Sequence, residues 1–438
     1  MTDSSRSLDI STKLERIAKL AKEIRGASLN TLAHHIDVKW LREAHRRTRK
    51  DGARGVDGQG AKQYGEQLEE NLQSLLDRAK SGRYWAPPVR RVHIPKGDGT
   101  ETRPIGIPTF EDKVLQRAVA MVIGEVYEQE FYDFSYGFRP GRSAHQALEA
   151  LQNTAVRMGG GWIVEVDIKK FFDTVDHAYL REILQRRIGD RVLLRLIGKW
   201  LNAGVLEGLN LSYPDEGTPQ GGVISPLLAN IYLHDVLDGW FVRDVQPTLE
   251  GQAALIRYAD DFVVLFSHKH DAERFLAVLP KRFGKYGLTL HPDKTRLVPF
   301  GRPDRSDKDE GPRTFNLLGF THYWALSRRG NWFVKQETAK DRFRRSLRRF
   351  YDWCRWNRHE PVKTQHLTLT KKLVGHYAYF GITSNFDALA KLLHRVKFLW
   401  RKALSRRSQR GQLTWKKMHR LLKRYPLPAP RIYHRYGT

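Results

Sequence analysis

The stretch Ala253-Ala254-Leu255-Ile256-Arg257-Tyr258-Ala259-Asp260-Asp261-Phe262-Val263-Val264-Leu265-Phe266 sets two adjacent carboxylates between two apolar runs. The runs read as short buried strands with a turn between them. Adjacent side chains on one strand point to opposite faces. A chain reversal would instead bring both carboxylates to one edge. Two carboxylates held close repel each other, and a divalent cation relieves that repulsion. Such a pair is expensive in a folded protein unless it binds metal or faces water. Taken alone, a solvated Asp-Asp turn is the plainer account. The rest of the chain removes most of its weight.

A second carboxylate lies upstream in Gly161-Trp162-Ile163-Val164-Glu165-Val166-Asp167-Ile168-Lys169-Lys170-Phe171-Phe172-Asp173. Ile163, Val164 and Val166 favour a strand, with Asp167 at its end, where an acid reaches a cleft. Asp167 as a helix cap is the alternative, but Asp176, before His177-Ala178-Tyr179-Leu180, suits that role better. Three carboxylates from two strand ends can hold two metal ions about 3.5–4 Å apart, an arrangement that aligns in-line phosphoryl transfer.

Here the chain resembles a known family. Val166-Asp167-Ile168-Lys169-Lys170-Phe171-Phe172-Asp173, Thr218-Pro219-Gln220-Gly221-Gly222-Val223-Ile224-Ser225-Pro226 and Tyr258-Ala259-Asp260-Asp261 look like three sequence blocks of reverse transcriptases, in the right order. The match extends through Arg103-Pro104-Ile105-Gly106-Ile107-Pro108, Ser135-Tyr136-Gly137-Phe138-Arg139-Pro140-Gly141-Arg142-Ser143-Ala144, Gly287-Leu288-Thr289-Leu290-His291-Pro292-Asp293-Lys294-Thr295 and Leu317-Leu318-Gly319-Phe320. The ordered set resembles group II intron-encoded proteins, the reverse transcriptase–maturases, from about Leu32 onward. The resemblance implies an α+β right-hand polymerase with fingers, a palm of antiparallel strands and a C-terminal helical thumb or maturase domain. It divides the chain into residues 1–90 (N-terminal extension and start of the fingers), 91–335 (fingers and palm) and 336–438 (thumb).

Composition agrees independently. A formal net charge of +28 over 438 residues implies a polyanionic partner and salt-sensitive binding. Solubility alone asks for a net charge of only about 2–8 in a small domain. The single cysteine, Cys354, excludes an intramolecular disulfide framework and a Cys-rich zinc site. The polar start and the lack of a bilayer-length apolar run give no sign of a membrane and make the cytosol the expected compartment; the resemblance implies a bacterial cytoplasm or nucleoid.

The charge is unevenly placed. Gln336 to Thr438 holds 26 Lys and Arg against 5 Asp and Glu. Leu389, Leu392, Leu393, Val396, Leu399 and Trp400 recur at helical spacing within it. This predicts a small helical domain with a basic face, most of Trp353, Trp356, Tyr377, Tyr379, Phe380 and Trp400 being core. Arg344, Arg345, Arg348 and Arg349, like the pair Arg406-Arg407, suit phosphates along a duplex. In the resembled family this region grips template–primer and intron RNA. At the other end, Leu14, Ile17, Leu20, Ala21 and Ile24 form one apolar helical stripe. Asp51-Gly52-Ala53-Arg54-Gly55-Val56-Asp57-Gly58 breaks the pattern as a loop, which in the family lies over the template. Residues 301–313 read as a solvated loop.

Other residues take roles from chemistry and from the resemblance together. Lys96 and Arg103 flank the turn of a hairpin, where two cations can clamp a triphosphate. The family places Gln220 beside the incoming nucleotide and template base. One of Phe171 and Phe172 is core; by alignment Phe172 stacks near the nucleotide sugar and excludes a 2′-hydroxyl. Lys294 suits either protonation of the leaving pyrophosphate or a phosphate contact. Arg139, Arg142 and His145 begin a helix with Ser143 as N-cap and are assigned to the template or primer backbone.

The expected reaction is RNA-templated DNA synthesis with two Mg²⁺ ions at Asp167, Asp260 and Asp261. Its partners are an RNA template with a DNA primer, deoxynucleoside triphosphates, target DNA and a group II intron RNA whose splicing the protein assists. Many family members carry a C-terminal zinc-binding endonuclease, which one cysteine cannot build. Target-strand nicking is therefore not expected, and priming would use a pre-existing 3′ end. Two other readings share these features. A host reverse transcriptase in antiviral defence or spacer acquisition would keep the palm. An RNA-binding splicing factor would keep the basic surfaces but could lose the carboxylates.

Overall fold

The computed structural model describes residues 3–96, 101–208, 210–213, 217, 221–303, 313–327, 329–408 and 412–436, without the side chains of residues 3–9, 96 and 101. The expected loop at 301–313 lies largely outside them. The described chain is α+β, as the sequence leads one to expect. In chain order its strands are β1 Val89–Lys96, β2 Glu101–Ile107, β3 Trp162–Val166, β4 Val205–Glu207, β5 Asn210–Ser212, β6 Ala253–Tyr258, β7 Asp261–Phe266, β8 Arg296–Pro299, β9 Phe315–Leu317, β10 Phe320–Leu326 and β11 Trp332–Thr338. They form three sheets, ordered β2-β1-β4-β5, β6-β7-β3-β8 and β11-β10-β9. β1 and β2 pair antiparallel, Ile94 opposite Arg103.

The chain divides into two compact units. The first comprises Met1–Ala147, Val166–Val264 and His270–Arg296. Its central helix, Phe110–Tyr127, starts on Thr109, whose hydroxyl accepts from the Asp112 amide at 3.2 Å. The helix is buried on most sides, through Val114, Leu115, Ala118, Val119, Val122 and Ile123. Trp40, fully buried, donates its indole N–H to the Ala118 carbonyl at 2.9 Å. In the N-terminal helix Asp3–Glu23, Ile17 and Ala21 of the expected stripe are buried, while Ile24 falls beyond the helix and is exposed. The loop after it in the sequence pattern is held down: Lys113 Nζ donates to the Ala53 carbonyl at 2.5 Å, and Arg90 Nη2 to the Arg54 carbonyl at 2.8 Å.

The second unit comprises Leu148–Glu165, Leu265–Lys269 and Leu297–Thr438. Helices Lys340–Trp356, Val362–Phe380, Phe386–Ser405 and Trp415–Arg424 close over Phe350, Cys354, Leu369, Leu373, Tyr377, Leu392, Val396, Trp400 and Met418. The predicted stripe on Phe386–Ser405 is thus the face that packs. Gln365 is buried with its polar atoms used: it accepts from Trp400 Nε1 at 2.8 Å and donates to the Asn357, Arg358 and Glu360 carbonyls of the turn that follows the preceding helix. Trp356 is the aromatic that departs from the core expectation, being 76% exposed. Among the described residues no helix is long and apolar enough to cross a membrane.

Candidate active site

β6 ends at Tyr258, Ala259 and Asp260 turn, and β7 begins at Asp261. The reversal that the paired carboxylates require is present. Ala259 adopts a left-handed φ of 58°, a conformation that costs a non-glycine residue on the order of 1–3 kcal/mol. The turn is held from two sides. Arg257, wholly buried, donates Nη1 to the Ala259 carbonyl at 3.1 Å and to Asn230 Oδ1 at 3.0 Å. Its Nε donates to Asp238 Oδ1 at 2.7 Å. On the other side Gly137 abuts the turn so closely that a Cβ there would lie 2.3 Å from the Ala259 amide nitrogen. Asn230 Nδ2 donates to the Gly137 carbonyl at 2.5 Å, joining both supports.

Asp167 follows β3 directly, as expected of an acid at a strand end. The segment Leu288–Lys294 runs beside it: the Lys169 amide donates to the Thr289 carbonyl and the His291 amide to the Asp167 carbonyl, both at 2.8 Å. That pairing delivers Lys294, whose ammonium lies 3.0 Å from Asp167 Oδ2. Asp260 is half-buried and Asp261 exposed. Burial pushes the Asp260 carboxyl above its ordinary value and the Asp167 charge adds to this, while its own backbone amide, Arg103 and Arg257 pull it down. Asp260, Asp167 and Arg103 are therefore electrostatic neighbours. Asp173 is raised as well, chiefly by burial, with Arg91, Lys170 and Arg103 opposing. Among the described residues no three His, Cys, Asp or Glu side chains are already drawn together as a ligand set.

Phe172 sits on the single helical turn Phe171–Thr174, entered through Lys170 at a left-handed φ of 49°. Phe171 is the core member of the pair, 2% exposed; Phe172 is half-buried, its ring 5.4 Å from that of Phe171. Arg103 is exposed on β2. Gly221 packs against the same strand, where a Cβ would lie 2.6 Å from the Gly106 carbonyl. Gln220 and the Lys96 side chain fall outside the described residues.

The backbone-contact assignments fare differently. Arg139 is buried, and its guanidinium is spent on Glu128 and on the Tyr132 and Ser135 carbonyls, the latter two at 2.7 Å. It braces a turn and is not available to a phosphate, which corrects the sequence-based assignment. Arg142 pairs with Asp133 at 2.5 Å and lies over the Tyr136 ring. Ser143 Oγ accepts from the Gln146 amide at 3.3 Å, as a cap should, with His145 half-buried in that first turn. Asp176 caps the helix His177–Arg187 through the Tyr179 amide at 2.9 Å. In Lys340–Trp356, Arg345 and Arg348 pair with Asp341 and Asp352, each at 3.0 Å, whereas Arg344 and Arg349 are exposed.

Asp238, Asn230 and the grip of Arg257 escaped the sequence reading. An arginine inside an apolar strand is itself a signal, because a buried charge demands a partner. The partner's identity, 19 residues away, is not readable from spacing.

Residues 94–322, just over half of the chain, match the family described as reverse transcriptase (RNA-dependent DNA polymerase). The group II intron-encoded protein LtrA of Lactococcus lactis subsp. cremoris is 45% identical over 169 residues, 38% of this chain and 28% of that protein. The chain thus covers under a third of that relative's length. Protein YkfC of Escherichia coli (strain K12) is 38% identical over 294 residues, 59% of this chain and 76% of that protein. An uncharacterized 91 kDa protein in the cob intron of Schizosaccharomyces pombe is 28% identical over 328 residues, 63% of this chain and 40% of that protein.

Proposed function

The chain belongs to the reverse transcriptase (RNA-dependent DNA polymerase) family, and on that footing we propose that it copies RNA into DNA at the turn between β6 and β7, in the service of a group II intron. The observation that carries the reading is the half-buried Asp260 under the charge of Asp167 and faced by Arg103. A carboxyl raised by burial and a like charge is one that a divalent cation would restore to its ionised form. Asp167, Asp260 and Asp261 offer only carboxylate oxygens, the donors that Mg²⁺ prefers. They would hold two Mg²⁺ ions, which when bound activate a primer 3′-hydroxyl and neutralise the leaving pyrophosphate.

The protein's own groups supply the rest. Arg103, with Lys96, would clamp the triphosphate of the incoming deoxynucleotide. Gln220 would lie against the nucleotide and template base. Phe172 would stack near the sugar and exclude a 2′-hydroxyl. Lys294, released from Asp167, would meet or protonate the pyrophosphate. Residues 1–90 would extend the fingers, 91–335 form fingers and palm, and 336–438 the thumb. The partners would be RNA template, DNA primer, target DNA and intron RNA, in the cytosol or nucleoid. Intron service is supported by the lactococcal relative's description and by the basic charge of the chain.

Primer extension on matched RNA and DNA templates tests the polymerase. Asp167→Ala, Asp260→Ala and Asp261→Ala should each abolish incorporation while RNA affinity stays nearly intact. Substantial Mg²⁺-dependent synthesis by any pure variant would reject the site. Preferential binding to a group II intron RNA over an unrelated RNA of equal length tests the intron role.

A further inference from the structure

The Arg257 guanidinium touches three partners, and none of them can be substrate, because the side chain is wholly buried. Nε and Nη2 both donate to Asp238, itself unreachable by solvent, and Nη1 donates to Asn230 Oδ1 and to the Ala259 carbonyl. The backbone of Arg257 is fixed too. Its amide donates to the Phe134 carbonyl and its carbonyl accepts from the Tyr136 amide, each at 2.9 Å. A group so fully engaged has no freedom to move when the turn beside it is loaded. The one bond it makes toward the site goes to Ala259, the left-handed residue immediately before Asp260.

We propose that Arg257 is a positioning residue for Asp260: with Asp238 and Asn230 orienting its planar fork, it fixes the direction of the Ala259 peptide and thereby the place of the Asp260 carboxylate. This rests on the reading of Asp260 as a catalytic carboxylate. The geometry favours positioning over mere burial of a charge for three reasons. A buried ion pair is a poor source of stability compared with well-packed apolar groups. The fork is divided, with one arm spent on the turn itself. The opposite wall, Gly137, admits no side chain and is tied through its carbonyl to the same Asn230. Lysine could keep the charge but not the fork, so Arg257→Lys is not conservative here.

The experiment uses the full chain and reads Mn²⁺ binding by electron paramagnetic resonance, kcat and KM for a single deoxynucleotide, and the melting temperature. Arg257→Lys should lower kcat and Mn²⁺ affinity by about 10–100-fold, the range seen when an outer partner of a metal ligand is removed. Template–primer affinity and KM should change little. Asn230→Ala, which removes one of the fork's anchors without unpairing Asp238, should show the same signature in milder form and covers the case in which Arg257→Lys does not fold. Folded variants with wild-type kcat and Mn²⁺ affinity would overturn the proposal, as would losses that merely track the folded fraction. Asp260→Ala measured alongside separates the two readings. If it retains incorporation, the assignment of the carboxylate has failed; if it is dead while folded Arg257→Lys and Asn230→Ala behave as wild type, only the positioning role has.

Discussion

Lys294 sits 3.0 Å from Asp167 Oδ2, a cation already resting on a carboxylate that the proposed reaction needs for another. Both side chains are substantially exposed, at 51% and 35%. Exposed pairs of this kind are worth about 0–1 kcal/mol, so the ammonium is a weak competitor. Lys294→Gln should tighten Mn²⁺ binding by at most about five-fold, the equivalent of 1 kcal/mol, while lowering the rate of incorporation. Water-proton relaxation titrations give the affinity. An unchanged or weaker affinity would show that the pair does not occupy the metal's place.

Phe172 has the half-exposed setting that a sugar contact requires, with Phe171 beneath it taking the packing role. Phe172→Ala should relax discrimination against ribonucleotides by about 10-fold or more, in line with the discrimination that apolar pocket contacts supply. Single-nucleotide incorporation with matched ribo- and deoxynucleotides measures the ratio. A ratio equal to wild type would place the gate elsewhere.

The arginines of Lys340–Trp356 divide into two kinds. Arg345 and Arg348 each have an acid one helical turn away; among the described residues no ion pair joins Arg344 or Arg349 to an acid. Each cation that neutralises a phosphate contributes roughly 0.7–0.9 to the slope of log affinity against log salt. Replacing Arg344 and Arg349 by Gln should therefore flatten the slope for structured RNA more than the same change at Arg345 and Arg348. Binding isotherms across a salt series decide it. Equal slopes in both pairs and in wild type would reduce all four to a solvated helix face.

Asp112 gives the first unit a pH dependence. Burial pushes its carboxyl up to about 7, against the pull of its bonds to Tyr84 and Thr109. The same carboxyl in an unfolded chain titrates near about 3.9. Between these values the folded state keeps a proton that the unfolded state has lost, so stability falls as pH rises, by at most about 1.4 kcal/mol per pH unit. Asp112→Asn retains an acceptor for the Tyr84 hydroxyl but cannot titrate. Its stability relative to wild type should climb from about pH 4 to about pH 7 and then level off. Urea midpoints at four pH values test this, and a constant difference between the two proteins would refute it.

The strand–turn–strand around Asp260, the strand before Asp167, the Asp176 cap and the packed stripe of Phe386–Ser405 were legible because each is a local pattern, written within one turn or a few alternating residues. Arg139 was misread because its partners Glu128, Tyr132 and Ser135 come within reach only when the chain folds back on itself. A charged residue looks the same in a sequence whether water or a carbonyl receives it. Trp356 shows the converse: an aromatic ring counts toward a core by its type, yet this one is exposed, on the face of its helix opposite Phe350 and Cys354. The support of the turn by Asn230, Asp238 and Gly137 is long-range, and periodicity carries no information about it.

Cys354 is the chain's single cysteine and is 2% exposed in the helical core of the second unit. Burial pushes its thiol up to about 12, so the thiolate, the reactive form, is nearly absent near neutral pH. The folded protein should ignore a maleimide, while an opened helical core would present one ordinary thiol. Labelling rate thus becomes a clock for the opening of the packing around Phe350, Leu369 and Trp400, with no engineered residue. A cysteine introduced on the surface, for instance beside Phe172, would in turn be the sole position to accept a fluorophore.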